Sequence, residues 1–160
     1  MSLEPRSHRP EVATLRVGTD ILDVRNVAES IHAFGERYLV RVFTRHEREY
    51  CASIANEGGD SVPHLAARFA AKEAVMKVLR PGPSDVLTWK SIEVVRNPDG
   101  SCAVRLHGRA RALARRAGLS AFAVSLSHER RYVMAVAIAE QTSNRKATVA
   151  ALMARRPVFQ

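Results

Sequence analysis

Residues 64–79 read HLAARFAAKEAVMKVL, and the fold turns on how this stretch is set. As a helix it returns Leu65, Phe69, Val75, Met76 and Leu79 at helical spacing. Its five alanines keep the girth small, so that neighbouring backbone can come close. Into this apolar rod the chain sets Arg68, Lys72, Glu73 and Lys77. Glu73 and Lys77 stand one turn apart on a face that also carries Phe69 and Ala70. They read either as an ordinary surface ion pair, contributing about 0.2–0.5 kcal/mol, or as groups held for chemistry.

Outward from this helix the chain is well punctuated. Ser61 or Val62-Pro63 opens the helix, proline being tolerated in a first turn, and Arg80-Pro81-Gly82-Pro83 stops it. Upstream, residues 13–24 (ATLRVGTDILDV) alternate loosely and are rich in Val, Leu, Ile and Thr, which predicts a strand. Gly18 weakens that strand unless something approaches closely or the chain bulges. Asp20 follows; inside a strand its carboxylate needs a partner, and the alternative is that the strand ends there with Asp20 capping the turn. Asn26 suits the N-cap of a helix over 27–34 that Gly35 closes, and 36–42 reads as a short helix or turn. Thr44 with Glu47 predicts a capping box for a helix over 45–54, followed by a loop at 56–60.

Downstream the pattern changes. Residues 89–96 and 102–106 read as strands joined by the Asn97-Pro98-Asp99-Gly100 turn. A basic helix over 107–117 ends at Gly118, and two more strands, 121–127 and 132–140, flank a turn at 128–131. Strands and helices are mixed rather than strictly alternating, which predicts an α+β fold with a small antiparallel sheet against the long helix. The expected division is a domain over 14–140, an N-terminal extension over 1–13 and a basic C-terminal extension over 141–160, loosely packed or disordered.

Composition narrows the classes. A chain of 160 residues, 46% apolar, suits one globular domain with a real core. No run approaches the roughly 18 apolar residues of a membrane span, and the start lacks a hydrophobic signal core, so a cytoplasmic protein is expected. Cys51 and Cys102 form no CxxC pair, which predicts free thiols and no zinc site. The net charge of +9 calls for an acidic partner, or simply solvates the surface; five arginines and no acid lie within 105–116. That run motivates a rival reading, a basic nucleic-acid-binding module, although aromatic content is only 6% and shows no stacking platform.

Motifs exclude more than they select. There is no Walker A pattern, no GxGxxG and no HExxH. Ser127 and His128 are adjacent, so on a strand they face opposite ways and make a poor direct relay, though both could meet one ligand at the strand's end. Asp20 and Glu73 remain: two carboxylates without imidazole or thiolate support, a donor set for a hard cation. Magnesium takes one or two carboxylates, waters and substrate phosphates, and Lys77 and Arg68 suit phosphate oxygens. The residues thus permit magnesium-assisted chemistry on a phosphate ester without selecting the substrate.

Three segments in order, VGTDILDV, LAARFAAKEAVMKVL and SLSHERRYVMAVAI, resemble the motifs of holo-acyl-carrier-protein synthases in the 4′-phosphopantetheinyl transferase superfamily, over about residues 15–140. The resemblance implies transfer of 4′-phosphopantetheine from coenzyme A to a serine of an apo acyl carrier protein, with release of adenosine 3′,5′-bisphosphate. It implies Asp20 and Glu73 as magnesium ligands, Lys77 as the group at the leaving phosphate, and Arg68, Lys77 and His128, with Ser127 beside it, at the coenzyme. The base for the serine is either Glu73, directly or through a metal-bound water, or a water alone. A homotrimer with shared sites is implied, as is docking of the acidic carrier near Arg25, Arg37, Arg41 and Arg45. The chain departs from the family pattern at Arg80-Pro81-Gly82-Pro83, at Gly100-Ser101-Cys102 and at Met76.

Overall fold

The computed structural model describes residues 14–142; both predicted extensions lie outside the described residues, except for Gln141, which belongs to the last strand, and Thr142 beside it. The order is β1 (Thr14–Asp23), α1 (Val24–Phe34), α2 (Glu36–Val42), α3 (Arg45–Asn56), α4 (Ser61–Leu79), β2 (Ile92–Arg96), β3 (Cys102–Leu106), α5 (Gly108–Arg116), β4 (Leu119–Glu129) and β5 (Tyr132–Gln141). The fold is α+β as expected, but with two antiparallel sheets instead of one: a three-stranded sheet ordered β1-β5-β4, and the β2-β3 hairpin.

α4 packs against β1 and β5 and also touches β2, β4, α1, α3 and α5. It is therefore buried on most of its sides, from Leu65 to Leu79, and is apolar nearly all round. Both elements bring small side chains to the core: Ala66, Ala70, Ala71 and Ala74 of the helix are fully buried, as are Ala135, Ala137 and Ala139 of β5. Gly18 completes this fit. A Cβ built there would lie 2.1 Å from the Ala74 carbonyl oxygen and 3.1 Å from Lys77 Cβ, so only glycine lets β1 lie this close to the helix.

A buried ion pair ties the layers together. Lys72 and Glu47 are both fully buried, Nζ to Oε2 at 2.8 Å. Lys72 also donates to the Trp89 and Ile92 carbonyls, so all three of its protons are used. Glu47 accepts from the backbone N–H groups of Thr44 and Val94, both at 2.8 Å. The capping box read from sequence thus also locks α3 to α4 and β2.

Several boundaries move, each for a local reason. α1 starts at Val24 and is capped by Asp23, whose carboxylate accepts from Arg25 N; Asn26 is already inside the helix. Asp20 sits within β1, opposite Ala135, and so does not cap a turn. α4 opens at Ser61 as expected, with Asp60, whose carboxylate accepts from Val62 N, as its cap. Residues Trp89–Ser91 form a 3-10 turn, because their backbone closes on Thr88 and Trp89 before the strand begins. β4 runs through His128 and Glu129, shortening the expected turn to Arg130 and Arg131, and a separate bulge between Ser120 and Ala123 interrupts the pairing near the start of the strand.

Candidate active site

Asp20 and Glu73 meet where β1 crosses α4. Asp20 lies on the same face of the sheet as its neighbour Ala135, which is buried against the helix. Lys77 Nζ donates to Asp20 Oδ1 at 2.9 Å and to the Thr19 carbonyl at 2.6 Å. The i,i+4 ion pair between Glu73 and Lys77 is thus not the one that forms: among the described residues, Lys77 pairs with the strand instead. The Glu73 carboxyl is raised above its ordinary value, chiefly by burial and then by the charge of Asp20, with Lys77 opposing. Two carboxylates that repel each other at a partly buried site, with one ammonium already drawn in, fit a hard divalent cation bound through oxygen. Among the described residues no cluster of three or more His, Cys, Asp and Glu offers a metal a richer set.

A second group lies toward the start of α4. Arg68 is 3% exposed; its guanidinium stacks 4.3 Å above the Tyr50 ring, and Nη1 donates to the His64 carbonyl at 3.1 Å. Its Nε is buried and lacks a hydrogen-bond partner among the described residues. The rings of His64 and His128 are 6.2 Å apart. His128 reaches this place because it faces the helix side of the sheet with its neighbour Val133. Ser127 stands opposite exposed Met134 on the other face, so a single chain does not bring it beside His128. Cys51, buried near Arg68, has its thiol pushed up to about 11, chiefly by burial.

The structure therefore brings Asp20, Glu73 and Lys77 together, places Arg68 with His128 one stretch along the same helix, and separates Ser127. The sequence reading passed over His64 and Arg96. His64 had a signal, since it precedes Arg68 by one helical turn; Arg96 had none, because only the hairpin's packing brings it near.

Over residues 16–137 the chain matches the family described as the 4′-phosphopantetheinyl transferase superfamily. The holo-[acyl-carrier-protein] synthase of Moorella thermoacetica is 44% identical over 128 residues, covering 80% of this chain and 95% of that protein. The holo-[acyl-carrier-protein] synthase of Koribacter versatilis is 41% identical over 126 residues, covering 79% and 98%. Among solved structures, an ACPS–CoA complex from Chronobacterium ammoniagenes superimposes with a TM-score of 0.71 at 28% identity, covering 82% of this chain and 99% of that one. The order of motifs, the fold and these likenesses agree, and the chain belongs to the 4′-phosphopantetheinyl transferase superfamily.

Proposed function

We propose that the protein is a holo-acyl-carrier-protein synthase, transferring 4′-phosphopantetheine from coenzyme A to a serine of an apo acyl carrier protein. The observation that carries this reading is the convergence of Asp20, Glu73 and Lys77 at one crossing, in a chain 44% identical to a named synthase. The serine oxygen forms a bond to the β-phosphorus of the coenzyme, the pyrophosphate bridge breaks, and adenosine 3′,5′-bisphosphate leaves.

Asp20 and Glu73 would hold magnesium, which when bound supplies charge neutralisation at the pyrophosphate. Lys77, released from Asp20, offers its ammonium to the leaving phosphate. Glu73 would accept the serine proton through a water, as a carboxylate within reach of the reacting hydroxyl can. Arg68 and His128 would orient the coenzyme's phosphates, with roughly 7.5 Å of helix rise between Arg68 and Glu73.

The carrier would dock on the basic edge of α2. There an open groove of about 740 Å³ is lined by Arg37, Arg41 and Lys90 over Val40, Val86 and Trp89, with Glu36 at its wall paired to Arg48. Among the described residues Arg37 and Arg41 have no ion-pair partner, whereas Arg25 pairs with Asp23 and Arg45 with Glu49. The outer face of the three-stranded sheet presents Leu15, Val17, Ile21 and Met134, with Ile21 68% exposed; a trimer would cover it and bring Ser127 against a neighbouring subunit's site. Sedimentation should then give the mass of three chains. No helix of the described residues is long and apolar enough to cross a membrane, and a cytoplasmic site of action is part of this reading. The nucleic-acid alternative has less support, because two arginines of the 105–116 run are engaged within the chain, Arg116 with Asp85 at 2.7 Å and Arg111 with the Leu106 carbonyl at 3.1 Å.

Mass spectrometry of an apo acyl carrier protein incubated with coenzyme A, magnesium and this protein tests the proposal. A gain of one phosphopantetheine is expected, and no gain with any apo carrier would overturn it.

A further inference from the structure

His64 and Arg68 of α4 and His128 of β4 come together with little negative charge among them, and the charge of Arg96, which lies over its own β2-β3 turn, is felt at His64. Burial first, then the charges of Arg68, His128 and Arg96, bias His64 toward its neutral form; Asp60, the cap of α4, opposes them weakly. Among the described residues neither Arg68 nor Arg96 has a carboxylate at ion-pair distance. Arg68 is all but fully buried and keeps an unused Nε–H, which a folded protein tolerates where a ligand completes it. Arg96 folds back along its hairpin, its Nη2 3.2 Å from the position a Gly100 Cβ would take, so that turn leaves it room. The His64 ring faces that of His128 at 6.2 Å, wide enough for neither to bond the other and close enough for both to reach one anion.

We infer that His64 and Arg96 extend the Arg68–His128 pair into one pocket for a phosphate dianion, and that His64 takes up a proton from solvent when the phosphate arrives. The dianion reverses the local field: cations that repel a proton from the imidazole are neutralised, and a charged imidazole gains a partner. The proton rests on the ring, and no covalent bond changes. Coenzyme affinity then strengthens as pH falls from 8 toward 6, a dependence set at the phosphate pocket rather than at Asp20 and Glu73. The inference rests on coenzyme A being the substrate.

The test is titration calorimetry of coenzyme A into the full chain without magnesium, at pH 7, in two buffers of different ionisation enthalpy. The wild type should take up a fraction of a proton per coenzyme bound. His64→Gln should abolish that uptake and weaken binding at pH 6 by about tenfold, the worth of one charge-assisted hydrogen bond, with little change at pH 8. Arg96→Gln should weaken binding at both pH values. The same titration with 3′-dephospho-coenzyme A checks the charge: uptake should be lost, because the 3′-phosphate is the coenzyme's one phosphate dianion, and uptake kept would overturn the assignment to a dianion. Tight binding with no proton uptake by the wild type, or the same uptake in His64→Gln, overturns the inference and leaves the transferase reading intact. A wild type that neither binds coenzyme A nor modifies a carrier removes both.

Discussion

Lys77 Nζ donates to Asp20 Oδ1 at 2.9 Å, across from strand to helix, and among the described residues Glu73 one turn back has no ion-pair partner. The ammonium thus sits at the strand's carboxylate, where a divalent cation would displace it toward the substrate. Lys77→Ala should lower the transfer rate by about 10²–10³, the cost of removing one group aimed at developing charge. Coenzyme affinity should fall much less, because Arg68 and His128 remain. Steady-state kinetics with an apo carrier separates kcat from KM; a loss confined to KM would count against a role at the leaving phosphate.

Glu73 gives a pH prediction with a definite sign. Its folded-state carboxyl is raised, by burial and then by Asp20, so the folded protein holds that proton more tightly than the unfolded chain. Stability from this group is therefore present at low pH and lost as pH rises through the raised value. Glu73→Gln should melt higher than the wild type at pH 7.5 without divalent metal, and the gain should shrink toward pH 5. The same variant should lose transfer. A variant that melts lower at pH 7.5 would show that the ionised carboxylate is already well paired.

Gly18→Ala should damage the site from outside it. The added Cβ would meet the Ala74 carbonyl at 2.1 Å, and backbone rather than a flexible side chain has to move. Lifting β1 from α4 should cost about 1–3 kcal/mol as overpacking does, and should slow transfer by separating Asp20 from Glu73. Melting and kinetics on the same sample check both; unchanged kinetics would mean the crossing tolerates the shift.

The Lys72–Glu47 pair makes a prediction about stability alone. Burial biases Lys72 toward losing its proton, while Glu47 and Glu93 hold it charged. Lys72→Met leaves Glu47 buried without its partner and should cost about 3–5 kcal/mol. Glu47→Gln combined with Lys72→Met should cost less, since no charge is then stranded. Urea unfolding reads both, and equal losses would argue that packing rather than charge dominates.

Much of this was legible in the chain. The capping box at Thr44 and Glu47, the stop after Leu79 and the pairing of residues 92–96 with 102–106 rest on local chemistry, which sequence displays. The unusual placement of Gly18 and Asp20 was visible too, because each breaks a strand's ordinary composition. What was not legible depends on contacts distant in the chain. Glu47 read as a cap, yet its second oxygen serves Val94 across 47 residues. Lys77 read as a partner for Glu73 because helix spacing favours it, while the strand that wins it is 57 residues away. His128 read as a turn residue because its composition is polar, whereas its pairing with Val133 of β5 keeps it in the strand.

The central claim is that the carboxylates of positions 20 and 73 share one divalent ion. Manganese, which favours the same oxygen donors, allows this to be read by electron paramagnetic resonance with adenosine 3′,5′-bisphosphate present. The wild type should bind one ion per chain, and Asp20→Asn and Glu73→Gln should each abolish that binding while the protein remains folded. Undiminished manganese binding in either variant would contradict the account.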